Sequence, residues 1–329
     1  MYYRSVADLN RAMVDWHSRL PDDIELIAGV PRSGLLAANL LALHMNLPLT
    51  DVDGLIAGRM LTAGARYKTG TKSKGDAGPM LETPRKVLII EDYVLSGRSL
   101  EKVRAQVEKA DLPHSLVYGS VYADPAKMHL LDHYYELVTP PTYFEWNILH
   151  HPWVEKSCID LEGVLCREPS PEENQDGKRY EAYIASAEPL LSTTKTVGHV
   201  ISCRAERYRA ATGGWLEKHG IRYHHLHMLG DGHEGVRADE SLEADYKAQL
   251  YTDVDGALFF ESSSAQAEQI ARKTGRYVFC TETREMMEPS SSAQLKRVVK
   301  REASAGYRRL QDLLRHGIRG FLYGRDGRT

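Results

Sequence analysis

The chain carries no excess of charge of either sign: 42 Lys and Arg stand against 45 Asp and Glu, for a formal net charge of −3. A whole-molecule field that weak gives no reason to expect a polyanion, and nucleic acid is not an expected partner. Long apolar runs are also missing. The longest, such as residues 35–43, fall far short of the roughly 20 apolar residues that cross a bilayer as a helix. The opening MYYRSVADLN lacks the apolar core of a secretory signal. Cysteine is scarce, and Cys158, Cys166, Cys203 and Cys280 form no CxxC pair, which argues against a disulfide framework or a zinc site. A reducing cytoplasm is the expected compartment, with no membrane partner.

What remains is an ordinary soluble composition, 26% charged and 42% apolar. A length of 329 residues suggests two domains, at roughly 100–200 residues each. In the first half, strand-like stretches at 24–29, 86–90 and 115–122 alternate with helix-like ones at 34–45 and 99–109. That rhythm predicts a parallel sheet flanked by helices. Residues 57–85 are rich in Gly, Lys and Thr without an apolar period; a loop of that length in a compact domain is usually functional. Residues 133–153 are dense in aromatics and prolines and suit a lid or a junction. A second α/β rhythm follows, with strands at 157–161, 198–202, 224–229, 257–260 and 276–280 and helices at 205–219, 242–250 and 264–274. From Ser290 onward ten Lys or Arg face three acids. This tail, 291–329, reads as a basic packing helix with a frayed end.

The segment Val87-Leu88-Ile89-Ile90-Glu91-Asp92 followed by Ser96-Gly97-Arg98-Ser99 is the most specific in the chain. An apolar strand delivers two carboxylates to its C-terminal end, where open α/β sheets bind ligands. Carboxylates there accept hydrogen bonds from vicinal ribose hydroxyls, and a small-residue loop entering a helix suits a phosphate. The segment resembles the type I phosphoribosyltransferase signature, with Glu for the first Asp and Ser for each Thr. Gly29-Val30-Pro31-Arg32-Ser33-Gly34 resembles the pyrophosphate loop of the same family. The resemblance implies a phosphoribosyl pyrophosphate (PRPP) site made by Arg32, Ser33, Gly34, Glu91, Asp92, Ser96, Gly97, Arg98 and Ser99. It implies Mg²⁺ on the diphosphate and a flexible catalytic loop whose cations are Arg66, Lys68, Lys72 and Lys74, with Lys68 as the catalytic candidate. The acceptor would be a heterocyclic base or nucleotide. Tyr143, Phe144 or Trp146 would stack on it, with Glu145 or Asn147 at its edge. The alternative for these aromatics is packing between domains.

Ser157-Cys158-Ile159-Asp160-Leu161-Glu162-Gly163-Val164-Leu165 ends a strand in two acids on one side, followed by a glycine turn. It resembles the first motif of the haloacid dehalogenase (HAD) superfamily. Asp160 would then be the nucleophile and Glu162 the acid, the latter one methylene longer than the family's Asp, a shift on the order of 1 Å that can cost about 10²-fold. Later elements match in order: Ser202 for the phosphoryl group, Lys247 as the neutralising lysine, and Glu261, with Asp160, as Mg²⁺ ligands. The stretch 167–197 is too short for a large cap. His224, His225, His227 and His233 cluster near Asp231 but read as strand-edge histidines. The expected architecture is thus α/β, two tandem parallel-sheet (Rossmann-like) domains: a transferase over 1–153 and a HAD-like domain with little or no cap over 154–290. The expected function is PRPP-dependent phosphoribosyl transfer coupled to phosphomonoester hydrolysis, the rival being a nucleotide sensor without turnover. A homodimer is an allowed assembly.

Overall fold

Val87, Leu88, Ile89 and Ile90 are all fully buried, as a strand covered on both faces requires. Their side chains alternate between two cores. Leu88 and Ile90 join one that includes Leu9, Met13, Ala37 and Leu41; Val87 and Ile89 join another that includes Leu55, Leu100, Val103 and Val107. In the computed structural model, which describes residues 1–61, 84–174, 177–230, 236 and 239–289, the chain divides into two units, Met1–Ile148 and Leu149–Thr329. Lys68 and its neighbouring loop cations, His233, Asp231 and the basic tail lie outside the described residues.

The first unit runs β1 (Tyr2–Arg4), α1 (Val6–Trp16), β2 (Leu26–Gly29), α2 (Ser33–Met45), β3 (Leu49–Asp51), α3 (Val52–Ile56), β4 (Lys86–Val94), α4 (Arg98–Ala110), β5 (Ser115–Ala123), β6 (His133–Leu137) and β7 (Thr142–Phe144). Its main sheet has the order β3-β2-β4-β5-β6, and every pairing in it is parallel. β1 and β7 form a separate parallel ribbon. α1 begins with a capping box, Ser5 and Asp8 each bonding the other's backbone N–H, a device that contributes about 1 kcal/mol. α4 buries Leu100, Val103 and Val107, a helical stripe in which each side chain gains about 1.5–3 kcal/mol from leaving water. β4 is longer than the apolar run predicts. It pairs with β5 as far as Val94↔Ala123, so Glu91 and Asp92 lie within the strand, not beyond it.

The second unit runs β8 (Cys158–Asp160), α5 (Lys178–Ser186), β9 (Val197–Ala205), α6 (Arg209–Lys218), β10 (Tyr223–Leu229), α7 (Glu240–Asp253), β11 (Phe259–Glu261), α8 (Ser264–Thr274), β12 (Val278–Cys280) and β13 (Glu285–Met287). The order is β10-β9-β8-β11-β12-β13, parallel except for the last pairing. β9 overruns its predicted end, and the helix expected from 205 starts at Arg209, because Cys203 and Arg204 are buried and remain part of the sheet. Both units are therefore α/β with predominantly parallel sheets. Among the described residues no helix is long and apolar enough to cross a membrane.

Both sheets reverse their strand order once, between β2 and β4 and between β8 and β11. Crevices at such points are where open α/β sheets take their ligands. At the first, α2 approaches β4 so closely that a Cβ on Gly34 would lie 2.7 Å from the Ile90 carbonyl oxygen and 3.2 Å from Glu91 Cα. Gly34→Ala is expected to push α2 off the sheet and cost about 1–3 kcal/mol, read as a lowered urea midpoint of the full chain.

Candidate functional site

The first crevice joins the two loops that the sequence singles out. β2 and β4 pair in register up to Gly29↔Ile90, and Val30 N–H donates to the Ile90 carbonyl at 3.0 Å. The turn after β2 thereby meets the acidic end of β4, and Ser33 Oγ donates to Asp92 Oδ1 at 2.8 Å. The other carboxylate oxygen, Oδ2, accepts from the indole Nε1 of Trp146 at 2.9 Å. Glu91 and Asp92 are both buried and point to opposite faces of the strand. Burial pushes Glu91 up to about 7, against a hydrogen bond from Ser99 and with some help from the charge of Asp92. Burial raises Asp92 as well, opposed by its bonds from Ser33 and Trp146. Ser96, Arg98, Ser99 and Arg32 are exposed. Gly97 takes the left-handed conformation, φ 78°, at the turn into α4.

The predicted base platform is different. Tyr143 and Phe144 are 2% and 3% exposed, and Phe144 belongs to the core under α1 and α2. Neither offers a face to a ligand, because β7 carries them inward. Trp146 is half-buried and stacks on Phe144 at 4.8 Å and 20°. Its indole bonds the acid expected to hold ribose, a link that no spacing in the sequence signals. Glu145 accepts from the Val6 N–H at the start of α1. Asn147 Oδ1 is buried without a hydrogen-bond partner among the described residues.

The second crevice gathers Asp160 at the end of β8, Glu261 at the end of β11 and Lys247 from α7. Lys247 Nζ donates to Asp160 Oδ2 at 2.5 Å, Glu261 Oε2 at 2.8 Å and Gln266 Oε1 at 2.8 Å. An ammonium has three donors, and all three are taken. Burial alone would lower the pKa of Lys247; the two carboxylates outweigh it and hold the ammonium charged. The remaining oxygens are also engaged: Asp160 Oδ1 by Leu161 N–H, Glu261 Oε1 by the amides of Ser262 and Ser263. Lys247 thus bridges the two carboxylates expected to bind Mg²⁺, and the pair as arranged does not fit that ion. Among the described residues no group of three His, Cys, Asp or Glu side chains is disposed to hold a metal. His199, His225 and His227 share one face of β9 and β10, with His199 Nδ1 3.0 Å from His227 Nε2.

Glu162 and Ser202 depart from their expected roles. Glu162 Oε1 accepts from Tyr180 Oη at 2.9 Å and from Arg204 Nε at 3.1 Å. Arg204 is fully buried, and its guanidinium also donates to Thr212 Oγ1 at 3.2 Å. Ser202 is fully buried too. Its hydroxyl accepts from Arg204 N–H at 3.1 Å and faces Glu162 Oε2 at 3.5 Å, so it belongs to this ion-pair network. Asp160, Glu162 and Lys247 line a cavity of about 660 Å³ together with Glu168 and Ser262. Glu168, outside every motif, is the functional candidate that the sequence reading missed.

No protein-family model matches the chain, and no curated protein matches it. Among solved structures, the purine phosphoribosyltransferase of Pyrococcus horikoshii is similar over 44% of this chain and 92% of its own, at 20% identity and a TM-score of 0.31. The xanthine-guanine-hypoxanthine phosphoribosyltransferase of Helicobacter pylori is similar over 45% and 93%, at 15% and 0.31. A hypothetical protein from Neisseria gonorrhoeae with bound ppGpp is similar over 44% and 88%, at 9% and 0.31.

Two stability measurements check these geometries. Glu91 binds its proton more tightly folded than unfolded, so its contribution is complete below about pH 4.5 and is lost as pH rises through about 7. Glu91→Gln should flatten the decline in stability between those pH values by on the order of 3 kcal/mol, read from urea midpoints at pH 4.5 and 8. Glu162→Ala should cost about 3–5 kcal/mol by stranding the charge of Arg204, and adding Arg204→Met should restore part of it.

Proposed function

We propose that the chain is a two-site enzyme. Its first unit transfers the phosphoribosyl group of PRPP to a nitrogenous base, or runs the reverse, and its second hydrolyses a phosphate monoester in the manner of the HAD superfamily. The observation that carries the first half is the Ser33–Asp92 hydrogen bond, which ties the Pro31–Gly34 turn and the acidic pair to one crevice. On this reading Asp92, beside the Pro31–Gly34 turn, takes a ribose hydroxyl and the loop 96–99 takes the 5′-phosphate at the start of α4. The diphosphate, delivered as its magnesium salt, faces Arg32. A base nitrogen bonds to C1 of the ribose as the bond from C1 to pyrophosphate breaks, through an oxocarbenium-like transition state that the site stabilises by position and charge.

The second half is supported by the Asp160–Lys247–Glu261 cluster at the strand reversal. Burial raises the pKa of Asp160, and the Lys247 ammonium on its Oδ2 opposes that rise and favours the carboxylate that would attack phosphorus. Because the first reaction yields a 5′-phosphate, the tandem order suggests successive steps on one product. A nucleotide sensor without turnover is the second reading. It is favoured by the pairing of Glu162 with Arg204, which occupies the acid at the position of the HAD proton donor.

One experiment separates them. The full chain is incubated with PRPP, Mg²⁺ and a panel of purine and pyrimidine bases, and pyrophosphate and inorganic phosphate are followed. Turnover should release pyrophosphate with at least one base. Asp92→Asn should lower that rate by at least about tenfold, the loss of one charge-assisted hydrogen bond, and Asp160→Asn should abolish phosphate release alone. Tight PRPP binding with neither product released would leave only the sensor.

A further inference from the structure

Cleaving an alkyl phosphomonoester is accelerated by a general acid that is free to change charge and that reaches the leaving oxygen. Glu162 stands at the motif position for that task and lines the cavity, but its carboxylate is held by Arg204 and Tyr180. Protonating it would strand a fully buried guanidinium, which sets its pairing with Arg204 against a change of charge. Glu168 lines the same cavity under opposite conditions. Among the described residues its carboxyl has one hydrogen bond, from Ser262 Oγ at 3.4 Å, and no cationic partner. It is open to solvent, as a group that exchanges protons with water must be.

Its position is built into the turn after Asp160. Gly163 has φ 77°, and a Cβ there would lie 2.2 Å from Ser262 Oγ and 2.5 Å from Glu168 Oε1. The missing side chain is what lets the Glu168 carboxyl and the Ser262 hydroxyl close over the loop that carries Asp160 and Glu162. Both the left-handed backbone and the lack of space exclude any other residue at 163 without strain.

Resting on the hydrolase reading of this cavity, we propose that Glu168, and not Glu162, is its proton-carrying catalytic residue. In the first step Asp160 Oδ bonds to phosphorus, the P–O bond to the alcohol breaks, and the Glu168 carboxyl gives its proton to the departing oxygen. In the second, water bonds to phosphorus, Glu168 takes its proton, and the P–O bond to Asp160 breaks, releasing inorganic phosphate and restoring both carboxyl groups. The charges around Glu168 suit this cycle. Although the residue is partly open to solvent, desolvation of its carboxyl at the cavity raises its pKa to about 7, the negative charges of Glu162, Glu261 and Glu243 add to the rise, and Lys247 opposes it; Asp160 also faces it through the cavity. A group titrating near neutrality serves as acid and base in turn.

The test uses the full chain with two esters, ribose 5-phosphate, whose alkoxide leaves only with a proton, and p-nitrophenyl phosphate, whose phenolate leaves without one. Wild type should lose kcat/KM on ribose 5-phosphate as pH rises past about 7. Glu168→Gln should cut kcat/KM, which reports the first step, on ribose 5-phosphate by about 10²–10⁴-fold and on p-nitrophenyl phosphate by less than about tenfold, and the alkaline limb should vanish. Asp160→Asn should abolish both activities. Equal losses of kcat/KM on the two esters, or no loss, would overturn the assignment while leaving the hydrolase reading intact. Wild type releasing phosphate from neither ester would instead remove the hydrolase reading, and the assignment with it. Should Glu168→Gln fail to fold by circular dichroism, Glu168→Asp decides: a retained alkaline limb with a loss confined to ribose 5-phosphate supports the proposal, and no selective loss refutes it.

Discussion

A parallel sheet that reverses its strand order must send its connections to opposite faces at the reversal, and the two strands there end in a gap that no connection covers. Both units of this chain are organised by that constraint. In the first it falls between β2 and β4, in the second between β8 and β11. Asp92, Asp160 and Glu261 are carboxyl groups buried at those ends, and burial of a charge is costly without partners. Each therefore carries several hydrogen bonds, and the sheets supply the rigid frame that aims them.

The two crevices meet the cost of burial differently. In the second, one ammonium compensates two carboxylates, and every donor and acceptor is matched. In the first, Asp92 relies on neutral donors, a hydroxyl and an indole; burial raises the acids of both crevices, and in the second the Lys247 ammonium opposes it.

Much of this was legible in the sequence because it follows from local pattern. The run Val87–Ile90 marks a strand buried on both faces, the acids that follow mark its functional end, and the turn at Pro31–Gly34 is recognisable from its small residues. Asp160, Lys247 and Glu261 were legible through their order along the chain. What escaped depends on contacts between distant positions. Arg204 reads as a surface cation until the sheet buries it against Glu162, 42 positions away. Tyr143 and Phe144 read equally well as a platform or as core, and only the pairing of β7 with β1 turns them inward. Glu168 sits in a polar stretch with no periodicity, and its neighbour Ser262 is 94 positions away.

The bond between Trp146 and Asp92 has a consequence for descent. Asp92 is an acceptor that the fold itself uses, because the indole N–H is held beside it by the stack on Phe144. Loss of the carboxylate would leave a partly buried donor unmatched, at about 1–3 kcal/mol. A lineage that abandoned turnover would still be selected to keep the acid for stability. In this chain the signature of the ligand site can outlive the ligand.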